Sequence, residues 1–143
     1  MRWKKAKVLV SALLTNNMVL PDDEEESLAL LEYALQEVAN RATTLRLLTT
    51  NVDNRIAKHT DIEGVFMRLP ALPVNDEEEL DIDEQLCFAV ARFMASFIVD
   101  SPTLVMLHES KAIDIINQYN STIEAYQERQ GKNGRENTVL REY

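Results

Sequence analysis

One thiol, two imidazoles and two runs of carboxylates are the side chains whose types and spacing could do chemistry in this sequence. Cys87 is the only cysteine and stands among Leu86, Phe88 and Val90. A nucleophilic thiol needs a nearby base or cation to become thiolate, and none adjoins it in the sequence, so Cys87 reads as a small core hydrophobe. A single cysteine also excludes an internal disulfide, which fits a reducing cytoplasm. His59 and His108 lie far apart in an arrangement that matches neither HxxxH nor HExxH, so neither zinc nor histidine catalysis is expected. The sequence has no GxGxxG and no GxxxxGK[ST], the loops that cradle phosphate.

The carboxylates form two groups, Glu24-Glu25-Glu26 with Glu32, and Glu77-Glu78-Glu79 with Asp81. Carboxylates on two facing helices can hold magnesium, as in all-helical nucleotide pyrophosphohydrolases. There a pair of Glu is followed three residues on by another Glu. Here that position is Leu28 after Glu24-Glu25 and Ala29 after Glu25-Glu26. The second run sits in a proline-flanked connector. The first run therefore reads as compensation of a helix dipole and the second as a solvated loop. The expectation is no catalytic residue, no metal and no cofactor.

The elements that carry these residues follow from hydrophobic spacing. Residues 3 to about 16 predict a short first helix with a basic start and Val8, Leu9, Ala12 and Leu13 on one side. No small-residue cleavage site follows it, so a signal peptide is the lesser reading. Asp22 or Asp23 can cap a second helix over 22–42, with the stripe Leu28, Leu31, Leu35, Val38 and Ala42. Thr44–Thr50 reads as a strand, with Arg55–His59 pairing back on it and Val65–Leu69 as a third candidate. After an acidic connector, Asp81 or Asp83 can cap a third helix over 84–99. Its apolar face is wide enough to be buried from two sides. Ser101-Pro102 opens a fourth helix, and Gly131 is a natural stop at about 130. The helices over 22–42, 84–99 and 102–130 are expected to share a core of Leu31, Leu35, Val90, Phe93, Phe97, Ile116 and Tyr119. The fold class is mainly α, a bundle of about four helices with a short β-hairpin excursion between the second and third. Residues 1–130 form one domain and 131–143 a flexible C-terminal tail.

Composition agrees with a single globular domain: 143 residues, 45% hydrophobic, 27% charged, with only 3 Gly and 4 Pro. No apolar run approaches the roughly 18 residues of a membrane span. The net charge of −9 argues against broad nucleic-acid binding, because it adds negative charge to negative charge. The charge is uneven. Arg2, Lys4, Lys5 and Lys7 make the start basic, whereas 21–40 and 71–100 are strongly acidic. Opposite charge at different edges suits head-to-tail contacts between neighbouring copies.

The stretch Gly64–Val99 reads GVFMRLPALPVNDEEELDIDEQLCFAVARFMASFIV. A short strand ends in Arg-Leu-Pro, an acidic linker follows, and Leu80-Asp81-Ile82-Asp83 leads into an apolar helix with Ala89, Ala91 and aromatic residues. In this stretch, and in the order helix, helix, strands, helix, helix, tail, the chain resembles the head–tail connector (adaptor) proteins of tailed bacteriophages. The resemblance implies a structural virion protein with no catalytic role. It would be made in the host cytoplasm and assembled at the head–tail junction. Such proteins form a ring, often twelve-fold, between the portal protein and the tail or neck proteins, and DNA passes through without specific binding. No membrane is involved. The candidate partner-binding residues are Val139, Leu140 and Tyr143 in the tail, and Arg2, Lys4 and Lys5 at the start. The alternatives are a cellular helical interaction module or regulator, and the metal-dependent nucleotide hydrolase weighed above.

Overall fold

The computed structural model describes residues 1–15, 18–42, 55–57, 66–68 and 70–142, with side chains described over 1–15, 18–42 and 70–125. Four helices and two short strands follow in the order α1 (Trp3–Leu13), α2 (Glu24–Arg41), β1 (Arg55–Ala57), β2 (Phe66–Arg68), α3 (Glu84–Ile98) and α4 (Pro102–Glu142). The architecture is mainly helical.

Local chemistry sets most of the helix ends. Asp23 caps α2, its carboxylate accepting from the Glu25 backbone N–H at 3.0 Å, and Glu24, Glu25 and Glu26 fill the first turn where the dipole favours anions. Asp83 stands at the N-cap position of α3, but its carboxylate does not bond the helix amides. It accepts from the Tyr119 hydroxyl on α4 instead. Asp81, the other expected cap, accepts from the Ala71 backbone N–H at 2.8 Å. Pro102 occupies the first position of α4, and the Val105 N–H bonds the Ser101 carbonyl at 2.9 Å.

Helix α4 does not stop at Gly131. It continues through Gly131 and Gly134 to Glu142. Each interior glycine costs a helix about 1 kcal/mol relative to Ala, which weakens it without forbidding it. Gln130, Lys132, Arg135 and Glu136 around them are good helix formers. At 1.5 Å per residue, the 41 residues span about 60 Å.

Helix α3 is the hub of the core. Leu86, Cys87, Ala89, Val90, Ala91, Phe93, Met94 and Ala95 are all buried on it, and it packs against α1, α2 and α4. The small Ala89, Ala91 and Ala95 let neighbouring helices approach closely. Leu31, Leu35, Val90, Phe93, Ile116 and Tyr119 are buried as expected. Phe97 is not: it is 40% exposed, near the C-terminal end of α3, where its ring meets only one face of α2. The face of α1 also differs from expectation. Trp3, Ala6, Val10 and Leu14 are buried, whereas Val8 is 64% exposed. A short amphipathic helix offers two apolar stripes, and the tryptophan, with the larger area to hide, decides between them.

Strands β1 and β2 pair antiparallel, with Ile56 opposite Met67. Thr44–Thr50, the expected partner of Arg55–His59, lies outside the described residues, and so does His59. Among the described residues, no helix is long and apolar enough to cross a membrane.

Candidate functional site

The basic start and both acidic runs meet on one face of the molecule. The first residues lie alongside the acidic connector: the Trp3 N–H donates to the Glu78 carbonyl at 2.9 Å, Lys4 N–H to Asp76 at 3.0 Å, and Leu80 N–H to Met1 at 2.8 Å. Side chains reinforce this strap. Lys7 Nζ bonds Asp76 Oδ1 at 2.7 Å and Glu24 Oε2 at 3.2 Å, and the indole N–H of Trp3 donates to Glu24 Oε1 at 2.7 Å. Lys7 also lies 5.1 Å from the centre of the Trp3 ring, one helical turn away. Arg2 bonds Glu77 at 3.0 Å, and the Met1 amino group pairs with Glu84. The connector is thus a backbone-bonded strap over the start of α1 and not a free solvated loop.

This geometry consumes charge that the sequence reading assigned to contacts between copies. Arg2 and Lys7 find their carboxylates within the same chain, because folding brings residues 1–7, 24 and 76–77 together. Of the basic candidates, Lys4 and Lys5 stay exposed and make no ion pair among the described residues. Exposed ion pairs contribute about 0.2–1 kcal/mol each and are screened by salt. Replacing Lys7 with Ala should therefore cost about 1 kcal/mol in urea unfolding at low ionic strength. That difference should shrink toward zero in roughly 1 M salt. An unchanged gap at high salt would assign the loss to packing on Trp3.

The remaining chemistry-bearing groups are separate from one another. Cys87 is buried, and its thiol donates to the Asp83 carbonyl at 3.6 Å. Burial above all pushes its pKa up to about 11, so the thiol stays protonated and inert at neutral pH. His108 on α4 is buried and its Nδ1 lies 3.2 Å from Arg92 Nη1 on α3. Burial, and then the Arg92 charge, lower its pKa. Glu24 and Asp76 engage Lys7, Glu77 engages Arg2, and Glu78 accepts from the Val74 N–H at 2.8 Å. Among the described residues, no three His, Cys, Asp or Glu side chains converge to hold a metal ion.

One concave surface is a shallow groove between α3 and α4, lined by Gln85, Phe88, Ile115, Gln118, Tyr119 and Thr122, and a second adjoins it at Asp83, Glu84 and Ile123. Phe88 is 47% exposed in the first. Apart from the Tyr119 phenol, already bonded to Asp83, the lining of the first has no titratable group to serve as acid or base. A second apolar feature is the aromatic run Tyr33, Phe97 and Phe93 across α2 and α3, with both ring–ring separations 6.5 Å and Arg41 over Phe93 at 5.9 Å. Of the tail candidates, Val139 and Leu140 lie in the last turns of α4, and Tyr143 lies outside the described residues. Helix α4, 41 residues long, is far longer than the 15-residue α3 it packs on, about 60 Å against about 22 Å. The aromatic run, the α3–α4 groove and the neutralised N-terminal clasp escaped the sequence reading. Each joins residues far apart in the chain, and its only sequence signal was the paired signs of charge. No protein family, curated protein or solved structure matches the chain.

Proposed function

We propose that this chain is a structural adaptor of a tailed-phage virion. It joins the portal protein to tail or neck proteins as a ring around the DNA exit channel, with no enzymatic role. The observation that carries this reading is the shape of α4. One helix supplies a wall of the core and, at 41 residues or about 60 Å, is far longer than the 15-residue α3 it packs on, which suits reaching a neighbour. The concavity beside the α3–α4 groove holds Asp83, Glu84 and Tyr119, but Asp83 accepts from the Tyr119 hydroxyl and Glu84 pairs with the Met1 amino group. The order of the four helices supports this reading, and a β-hairpin excursion between α2 and α3 forms part of the proposal. The net charge of −9 suits a channel wall that lets DNA pass without gripping it. Since Arg2 and Lys7 are paired within the chain, contacts between copies fall to Lys4, Lys5, the exposed aromatic residues and the end of α4.

Residues 131–143 form the docking segment, with Val139, Leu140 and Tyr143 as apolar anchors on a polar background. Burying three such side chains contributes about 1.5–3 kcal/mol each, and fixing side chains and the glycine-weakened end of α4 against a partner opposes it, at up to roughly 2 kcal/mol per side chain. One tail therefore binds weakly, and a ring of tails binds through avidity. Deleting 132–143 should leave the thermal midpoint unchanged while abolishing co-sedimentation with portal rings. If the truncated chain still co-sediments, the tail is not the docking segment. The test of the whole reading is electron microscopy of the intact chain mixed with portal protein encoded beside it. Rings seated on the portal are the expected result. A chain that stays monomeric beside portal, and whose flanking genes encode no capsid or tail protein, would instead be the cellular interaction module. For that module, the exposed Tyr33–Phe97 pair is the natural contact.

A further inference from the structure

We propose that the α3–α4 contact is an acid-sensitive latch, in which protonation of His108 against Arg92 loosens α4 from the helical body. Helix α4 is held chiefly by α3, through the bond between Arg92 Nη1 and His108 Nδ1 at 3.2 Å and, at the N-terminal end of α3, through the Tyr119 hydroxyl on the Asp83 carboxylate, which can accept that bond charged or protonated. His108 is only 4% exposed. Arg92 is permanently charged, so it donates and the ring nitrogen accepts, and that requires a neutral imidazole at Nδ1. A proton on Nδ1 removes the acceptor and sets two cations against each other in a partly dry contact. Among the described residues no anion relieves them. Arg92 makes no ion pair among the described residues, and no carboxylate among them shifts the ring. On α4, the residues one turn either side of His108 are Leu104, Val105, Lys111 and Ala112, of which the charged one is a further cation. Glu109 adjoins His108 in sequence but is exposed.

The sign follows from linkage. Burial and Arg92 lower the folded-state pKa of His108 below the ordinary 6.5. Above pH 6.5 both folded and unfolded chains carry a neutral ring, and the latch is fully closed. As pH falls below 6.5, the unfolded or detached ring takes up a proton more readily than the packed one, so attachment weakens until the packed ring titrates as well. The weakening concentrates on α4 because the core between α3 and both α1 and α2 is apolar, and the charged groups at its edge, Arg41 over Phe93 and the Met1–Glu84 pair, include no imidazole. The latch does not depend on what the chain assembles with.

The test is hydrogen exchange on the intact chain at pH 7.5 and 5.5, corrected for intrinsic rates. Amides of 102–123 should lose protection by up to about tenfold, the limit for a released ring titrating at its ordinary value, while the interiors of α1 and α2 change little. His108→Gln keeps an acceptor for Arg92 without a titrating ring, and should flatten the pH response of α4. A variant that keeps the wild-type pH response overturns the proposal, as does uniform loss of protection across all helices. If His108→Gln does not fold, nuclear magnetic resonance titration of the His108 ring in the wild-type chain decides. A midpoint below 6.5 with simultaneous shifts in α4 supports the latch, and a midpoint at or above 6.5 overturns it.

Discussion

Replacing Trp3 with Ala should destabilise the fold by about 3–5 kcal/mol and lower the thermal midpoint by roughly 10 °C or more. Trp3 is fully buried in the first turn of α1. It is among the largest wholly buried side chains, and its indole N–H bonds Glu24 at 2.7 Å. The substitution removes a side chain of roughly 150–250 Å² from the core cluster and leaves a cavity there. Against a total stability of about 5–15 kcal/mol, that loss is a large share. Trp3→Phe separates the two contributions. It keeps most of the apolar volume and removes only the bond to Glu24, whose half-exposed carboxylate can turn to water, so the expected cost is about 1–2 kcal/mol. Chemical denaturation of both variants measures the difference. A loss under about 1 kcal/mol for Trp3→Ala would mean that the N-terminal turn is not part of the cooperative core.

A contrast of similar size is expected between two phenylalanines one turn apart on α3. Phe93 is 3% exposed and lies beneath the Arg41 guanidinium at 5.9 Å, with the Phe97 ring stacked on it at 6.5 Å. Phe93→Ala should cost about 3–5 kcal/mol, because transfer and cavity contributions add in a site closed on several sides. Phe97 is 40% exposed and borders solvent, so Phe97→Ala should cost under about 2 kcal/mol. If Phe97 belongs to a contact between copies, its substitution should reduce assembly far more than stability, and the two readouts separate in one variant. Equal losses at the two positions would show that Phe97 is buried in solution, by a second copy or by a different packing of α2.

The sequence alone located four helical segments and roughly where they begin, though it ended the fourth at about 130 where α4 runs to Glu142. Those signals are local: Asp23 before three glutamates, Ser101-Pro102, and apolar residues at steps of three and four along α2 and α3. Most of the core was legible for the same reason, since Leu31, Leu35, Val90, Phe93, Ile116 and Tyr119 each sit on the wider apolar face of their helix. Tertiary structure decided what periodicity leaves open. It chose Trp3, Ala6 and Val10 over Val8 on α1, because the stripe that buries is the one that meets a partner. It left Phe97 at the edge, because an apolar face can be wider than the neighbour that covers it. It turned Asp83 from a cap into the partner of Tyr119, 36 residues away. It also paired Arg2 and Lys7 with carboxylates of their own chain. A charge count along the sequence cannot see which opposite charges the fold brings within hydrogen-bonding distance, and that distance decides whether a charge is spent inside the molecule or offered to a partner.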